Sequence, residues 1–454
     1  MITIYLDKNV FSHLSKAIED KYSILRDKIL SHKDEFIFLY SNAHLSDLKS
    51  DNTDIKYNEM EFIQSIVDGN HMVYESSGLK VLYESPKSVF DNMDGVDDFN
   101  PENIDLSKFT DEQKRVIYNV FDICSKSLNG ELSEDWLTKR IPILSEGDID
   151  NTKLVELINT LSYNLYQNHL FYKSIRDITI GNYNHESIKL DDSNIGEKQL
   201  LNSKLGLSFL DIVNTVMTQV GLSLSDLSMV YYMAYMLLDL FGYNKESRKT
   251  VKFKNIQIDS AHSFFGSYCD CIVSDDDGLR SKTKVLYKLF NIPTQVYSIN
   301  EFINKFEEAI DNNRKSANEY FDEIKKDYQN RHIIKTEKTS EYSITHINTT
   351  HKYFGYFDYM VEKSSNDESV IILHRNNAMY KPILIREIEI VVNRFVNALN
   401  NIGANFLLFN KEIEYPLIKV DEWGRYIELN DSVISLTKFK NASMLCLCIK
   451  PKNK

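Results

Sequence analysis

The most constraining feature of this chain is a short strand that runs into carboxylates and then into a helix. Cys269 to Ser274 reads CDCIVS, an apolar run of strand type, and Asp275, Asp276 and Asp277 follow at once. Leu279, Val285, Leu286, Leu289 and Phe290 then recur at helical spacing. The amino terminus has the same design. Ile2 to Leu6 is apolar, and Asp7-Lys8-Asn9 stands at its end, ahead of Leu14, Ile18, Leu25 and Ile29 at helical spacing. A third unit, FIFLYS at Phe36–Ser41, leads into Asn42-Ala43-His44-Leu45-Ser46-Asp47. Strands alternating with helices predict a parallel sheet. Ligands of such sheets gather at the carboxyl ends of the strands. Carboxylates gathered there repel one another unless a positive group joins them, and a divalent cation is the usual partner.

Composition narrows the class. The chain has 454 residues, long enough for two or three domains, and a net charge of −13. That charge excludes a broad unspecific nucleic-acid coat, so any grip on phosphate must be local. Gly and Pro are scarce, at 15 and 7, which favours long helices over a turn-rich β fold. The 5 cysteines include no CxxC; Cys269/Cys271 and Cys446/Cys448 lie in apolar runs and read as core residues of strands. The longest apolar run, Met229–Leu238, is too short to span a bilayer. The amino terminus enters a strand directly rather than a signal peptide. The expectation is a cytoplasmic protein with no membrane partner.

In chain order, residues 1–84 read as the first part of an α/β core, with a third strand at His71–Tyr74. Residues 85–244 read as a helical insertion, with Leu227–Phe241 apolar nearly all round. The acidic run 88–105 lacks the order of a calcium loop and reads as a solvated connection. Residues 245–330 read as the second part of the core, with a fifth strand at Val296–Ile299 and one long polar helix from Phe302 to Tyr328. Thr336–Tyr342 reads as a linker. Residues 340–454 read as an α+β domain of unassigned role, with strands at Ser369–His374, Phe406–Phe409 and Met444–Ile449 and a helix at Ile385–Leu399. The basic stretch Lys245–Lys254, KESRKTVKFK, is either a solvated edge strand or a phosphate-binding strip. Its candidates are Arg248, Lys249, Lys252 and Lys254, which Arg280 and Lys282 would extend.

These motifs, apolar-Asp-x-Asn, Ser-x-x-His-x-x-Asp, Asp-x-x-His and Val-Ser-x-Asp, together resemble the PIN-like nucleases. In that family a strand-end Asp is followed by an acid in a helix, a late Asp, and Thr/Ser-x-Asp after the fourth strand. Asp7, Asp47, Asp259 and Asp276 match these in order. The match covers residues 1–80 and 257–305. Two features depart from the pattern: the second acid is more often Glu, and the insertion before the third acid is unusually long. The resemblance implies a PIN-like parallel sheet flanked by helices, with a helical insertion and a C-terminal α+β domain.

It also implies a nuclease that hydrolyses phosphodiester bonds with two metal ions, Mg²⁺ or Mn²⁺. RNA is favoured over DNA as substrate, and many bacterial members are toxins or defence effectors. Asp7, Asp47, Asp259 and Asp276 would be the catalytic metal ligands. In supporting roles, Asn9 would orient Asp7 or the water, Ser274 would hydrogen-bond the floor of the site, and Asp275 would be a further ligand or simply the helix N-cap. His44 and His262 each share a helix face with an acid, and bonding to a carboxylate or the backbone is favoured over metal ligation for both. Taken singly, Asp7 and Asp276 are accounted for as helix N-caps. The insertion would roof the cleft; the alternative is a bundle facing away that makes a homodimer. The second functional class is a catalytically degenerate relative that binds nucleic acid or protein. A phosphatase on a similar sheet would need an acid paired with Asp7, which Lys8-Asn9 does not supply.

Overall fold

The structure is a computed structural model. It describes residues 1–49, 51–75, 77–93, 172–173, 175–177, 179–180, 208–219, 223–243, 253–365, 368–376, 384–403, 405–429, 431–438 and 444–452. Its centre is β1 (Thr3–Leu6), whose four residues are all buried. It pairs in parallel with β2 (Ile37–Ser41) on one side and β5 (Cys271–Val273) on the other. β3 (Asn70–Glu75) continues in parallel beyond β2, and β6 (Gln295–Tyr297) beyond β5. β4 (Gly78–Tyr83) closes one edge as an antiparallel hairpin partner of β3. The order is β4-β3-β2-β1-β5-β6. The strands expected at Ile2–Leu6, Phe36–Tyr40 and Cys269–Ser274 are therefore neighbours in one sheet.

Alternation along β1 sets the two faces. Ile4 and Leu6 face a cluster with α1 (Lys8–Lys16), α2 (Asp20–His32), α4 (Ile55–Val67) and α10 (Ile299–Asn313). Tyr5, with Ile37, Leu39 and Ile272, faces the cluster that holds α7 (Leu227–Leu240), α8 (Phe253–Gly266) and α9 (Asp277–Leu289). Covering both faces explains why these strands are apolar runs rather than alternating ones. α3 (Asn42–Lys49) follows β2, and α5 (Pro86–Asn92) follows β4. Of the expected insertion, 85–244, α5, α6 (Phe209–Gln219), α7 and a few helical residues between 172 and 180 are described, and α7 packs on α8 and α9 within the sheet's own core.

The expected long helix from Phe302 to Tyr328 is two helices, α10 and α11 (Ala317–Asn330). Each starts with a capping box, Ser298 with Glu301 and Ser316 with Glu319. The second Ser-x-x-Glu breaks the run because it satisfies the orphan amides of a new helix start.

The expected linker Thr336–Tyr342 instead holds the end of β7 (His332–Lys338) and the turn into β8 (Ser343–Tyr353). These join β9 (Phe357–Ser364), β10 (Ser369–His374), β11 (Gly424–Glu428), β12 (Ser432–Lys438) and β13 (Leu445–Pro451). The second sheet is antiparallel throughout, in the order β11-β12-β13-β10-β9-β8-β7. α12 (Ile385–Asn400) and α13 (Lys411–Lys419) accompany it. Phe406–Phe409, expected as a strand, is not one: Asn400 and Asn393 side chains hold its backbone at both ends, in place of a ladder. No helix among the described residues is long and apolar enough to cross a membrane.

The second sheet closes the amino end of the first. The Met1 ammonium donates to the Gly355 carbonyl at 2.9 Å, and the Ile2 and Thr3 amides donate to Asp270 Oδ2 at 2.5 and 3.1 Å. Arg375 lies 3.7 Å from Asp270 and donates to Glu387 at 2.8 Å. Glu387 is fully buried, and among the described residues Arg375 is the cation that meets it. Arg375→Leu should therefore destabilise the protein by about 3–5 kcal/mol in urea unfolding, and adding Glu387→Leu should restore most of that. An additive loss in the double variant would show that the pair is not the cause.

Candidate functional site

Asp7 takes the N-cap position of α1 but makes no side-chain cap. Its backbone carbonyl receives the Val10 and Phe11 amides, while its side chain turns to the neighbouring strand. Oδ2 accepts from Ser274 Oγ at 2.8 Å, and Oδ1 lies 3.6 Å from His262 Nε2. The group is 3% exposed. Burial pushes its pKa up, the charges of Asp47 and Asp276 add to that, and His262 and Ser274 oppose it.

His262 sits on α8 and is buried. Its Nε2 lies 3.3 Å from Asp47 Oδ2, and its Nδ1 meets Tyr5 Oη at 2.9 Å. Burial alone would lower its pKa; the bond to Asp47 and the charges of Asp7, Asp47 and Asp259 outweigh that and raise it. Asp7, Asp47 and His262 each offer a ligand atom, and the three atoms lie within 4.8 Å of one another. Two carboxylate oxygens and an imidazole nitrogen suit a divalent first-row metal. Nδ1 of His262 is bonded outward to Tyr5, as the far nitrogen of a ligating histidine usually is. The bond from Nε2 of His262 to Asp47 is the carboxylate bonding expected of it, and the same nitrogen is one of the three clustered donor atoms.

Behind it lies a buried hydrogen-bonded floor. His44 Nε2 meets the Leu6 carbonyl at 2.7 Å and must donate, so its Nδ1 accepts the Ser41 amide at 3.1 Å. Burial, with the charge of His262, holds His44 well below the usual histidine range. Tyr5 Oη reaches Ser41 Oγ at 2.7 Å as well as His262. His44 therefore braces β1, β2 and the His262 ring, 4.7 Å away edge-on, rather than Asp47. The short polar Ser41 and the Tyr5 hydroxyl were not anticipated. The signal for Tyr5 was a phenol between Ile4 and Leu6 in a fully buried strand.

The other two acids stand beside this cluster rather than in it. Asp259, one turn before His262 on α8, is half-buried. Its pKa is raised well above the usual range by burial; Lys282 and His262 oppose the rise, and Asp276 and Asp7 reinforce it. Asp276 caps α9, accepting the Leu279 amide on Oδ1 at 2.9 Å, and its own amide donates to Ser274 Oγ at 3.1 Å. The cap explanation thus holds for Asp276 and fails for Asp7. Asp275 is exposed and accepts the Ile299 amide at the start of α10, at 3.3 Å. Asn9 is exposed on the first turn of α1, so Ser274 and His262 orient Asp7 instead.

The basic candidates divide. Lys282 is not available to phosphate. It is 3% exposed and bonded to Asp239 of α7 at 2.6 Å, with Arg176 3.6 Å from the same carboxylate. Its position, three residues from both Leu279 and Val285, already placed it on the buried face of α9. Arg280 donates to the Ser274 carbonyl at 2.7 Å and pairs with Asp277, which fixes it at the rim. Lys254 lies half-buried in the first turn of α8. Arg248, Lys249 and Lys252 lie outside the described residues.

A buried carboxylate with a raised folded-state pKa opposes folding while it is charged; stability is gained as pH falls through that pKa. Asp7→Asn should therefore melt about 2 °C above wild type at pH 7 without divalent ions. It should also lose the rise that Mn²⁺ gives the wild-type protein. Differential scanning fluorimetry with and without Mn²⁺ reads both, and an unchanged Mn²⁺ response in Asp7→Asn and Asp47→Asn would remove these residues from any metal site. In comparisons with known proteins, no family model, no curated protein and no solved structure matches this chain.

Proposed function

We propose that the chain is a metal-dependent nuclease of PIN-like design, acting on RNA in preference to DNA. The observation that carries this reading is the cluster of Asp7, Asp47 and His262 at the carboxyl end of parallel strands, with Asp7 withheld from its helix cap. Supporting it, the five parallel strands run β3-β2-β1-β5-β6, with the acids following β1, β2 and β5. Asp7, Asp47 and His262 would hold Mg²⁺ or Mn²⁺, which when bound supplies Lewis-acid polarisation of a phosphodiester and a water of lowered pKa.

The chain's own residues prepare the place. Ser274 fixes one oxygen of Asp7, and Tyr5 fixes the ring of His262. Asp276 adds a carboxylate beside the donors, and Asp259, held toward its neutral form by burial, would gain its charge when a cation arrives; both favour a divalent cation over bare phosphate at that point. Arg280 and Lys254, with Arg248, Lys249 and Lys252, are the groups proposed to meet the nucleic-acid backbone.

A second reading has its own observation. The raised pKa of His262 lets it stand as a cation between Asp7 and Asp47, so the protein alone can neutralise the pair. A non-catalytic module that binds nucleic acid would follow. Labelled single-stranded RNA and DNA, incubated with Mn²⁺, Mg²⁺ or EDTA, separate the two. Under the nuclease reading, cleavage requires the metal, and Asp7→Asn and Asp47→Asn each lower the rate by at least about 10²-fold. Cleavage that persists in EDTA or in both variants defeats it; binding without cleavage under every condition favours the second reading.

A further inference from the structure

At the other end of β5 from the carboxylates lies a cavity of ≈ 550 Å³. Asp270 precedes β5 and Ser274 follows it, so the cavity and the acid cluster are separated by about 13 Å of strand. A volume of this size falls within the range of small-molecule sites. Its walls come from α7, α8, the end of α9 and the second sheet.

The two ends of the cavity differ in chemistry. One is aromatic: Tyr231, Phe264, Tyr268 and Phe290 line it. Tyr231 stands 5.6 Å from both Phe264 and Phe290 between ring centroids, and Phe264 meets Tyr268 edge-on at 5.5 Å. Leu227, 55% exposed, is a further wall residue. The other end is polar and carries Asp270, Asp358, Lys352 and Arg375.

The charges at the polar end are matched. Asp270 Oδ1 lies 3.3 Å from Lys352 and 3.7 Å from Arg375, and Asp358 lies 3.9 Å from Lys352. Arg375 also serves Glu387. Among the described lining residues no cation is left over to hold an anionic head group. Yet donor capacity remains: the Lys352 ammonium carries three protons, is 32% exposed, and lines the cavity at 3.3 and 3.9 Å from its two carboxylates.

We infer that this cavity binds a neutral planar heteroaromatic molecule of nucleobase or nucleoside size, the ring against the aromatic wall and its polar edge at Lys352 and Asp358. Aromatic walls favour a flat ring by offset or edge contacts. Lys352 offers donors and Asp358 an acceptor, so the polar end reads a mixed edge. A single charge would instead have to displace an existing ion pair. The site is independent of the proposed nuclease chemistry, since it shares none of the acid-cluster residues.

The test is isothermal titration calorimetry of the full chain with adenosine, guanosine and uridine, and with phenyl phosphate as the anionic comparator. One-site binding of at least one nucleoside, tighter than phenyl phosphate, is expected. Leu227→Trp, which fills the aromatic end from an exposed position, and Lys352→Met should each weaken that binding by at least 10-fold, roughly the loss of one well-placed contact. Asp7→Asn should leave it unchanged. Circular dichroism confirms that each variant is folded, and Lys352→Met alone decides the matter if Leu227→Trp is not. Absence of nucleoside binding at millimolar concentration, preference for phenyl phosphate, or binding indifferent to the folded variants would overturn the inference.

Discussion

Asp7 is the group on which the arrangement of the first sheet depends. A carboxylate at the end of a central strand, 3% exposed, is costly to keep charged. At a helix N-cap it would normally spend that charge on the amides of the next turn. Here the amides of Val10 and Phe11 are met by the backbone carbonyl, and the side chain is held by Ser274 from the adjacent strand. That bond spans 267 residues of sequence. The parallel register of β1 and β5 makes it possible, pairing Leu6 with Val273 so that Asp7 and Ser274 leave the sheet together.

The same register places α8 over the site. His262 faces Asp7 and Asp47 with one nitrogen while Tyr5, on the face of β1 opposite Ile4 and Leu6, bonds the other. Tyr5 is in turn bonded to Ser41, at the end of β2. One floor of hydrogen bonds therefore ties the carboxyl ends of β1 and β2 to α8, and β5 enters through Ser274. Such a network is strong when every member is satisfied and fragile when one is lost. That accounts for polar side chains at positions where the rest of the core is aliphatic.

Much of this was legible in the sequence, and what was missed has physical causes. Apolar runs bounded by Asp marked β1 and β5, because a strand buried on both faces leaves no alternation to misread. The order Asp7, Asp47, Asp259, Asp276 located the region, but spacing does not say which oxygen is already spent. The Leu279 amide takes Asp276 while Asp7 escapes its own cap, a distinction that only the neighbouring strand decides. Lys282 was misjudged by charge alone, although Leu279 and Val285 on either side placed it on the buried face. Ser316-Ala-Asn-Glu319 carried a helix start that a count of charges passed over. The second sheet was the least legible, since β7 is exposed along its whole length and has the composition of a linker.

β5 shows how a three-residue strand can serve two sites. At its amino end, Asp270 receives the Ile2 and Thr3 amides and faces Lys352 and Arg375, which fastens the second sheet to the first. At its carboxyl end, Ser274 holds Asp7. Strand-mates in a parallel sheet shift together, because slipping the β1–β5 register by one residue would invert every side chain on β5. The buried ion network at the base therefore does more than join two sheets. By fixing where β5 begins against β1, it fixes where Ser274 meets Asp7.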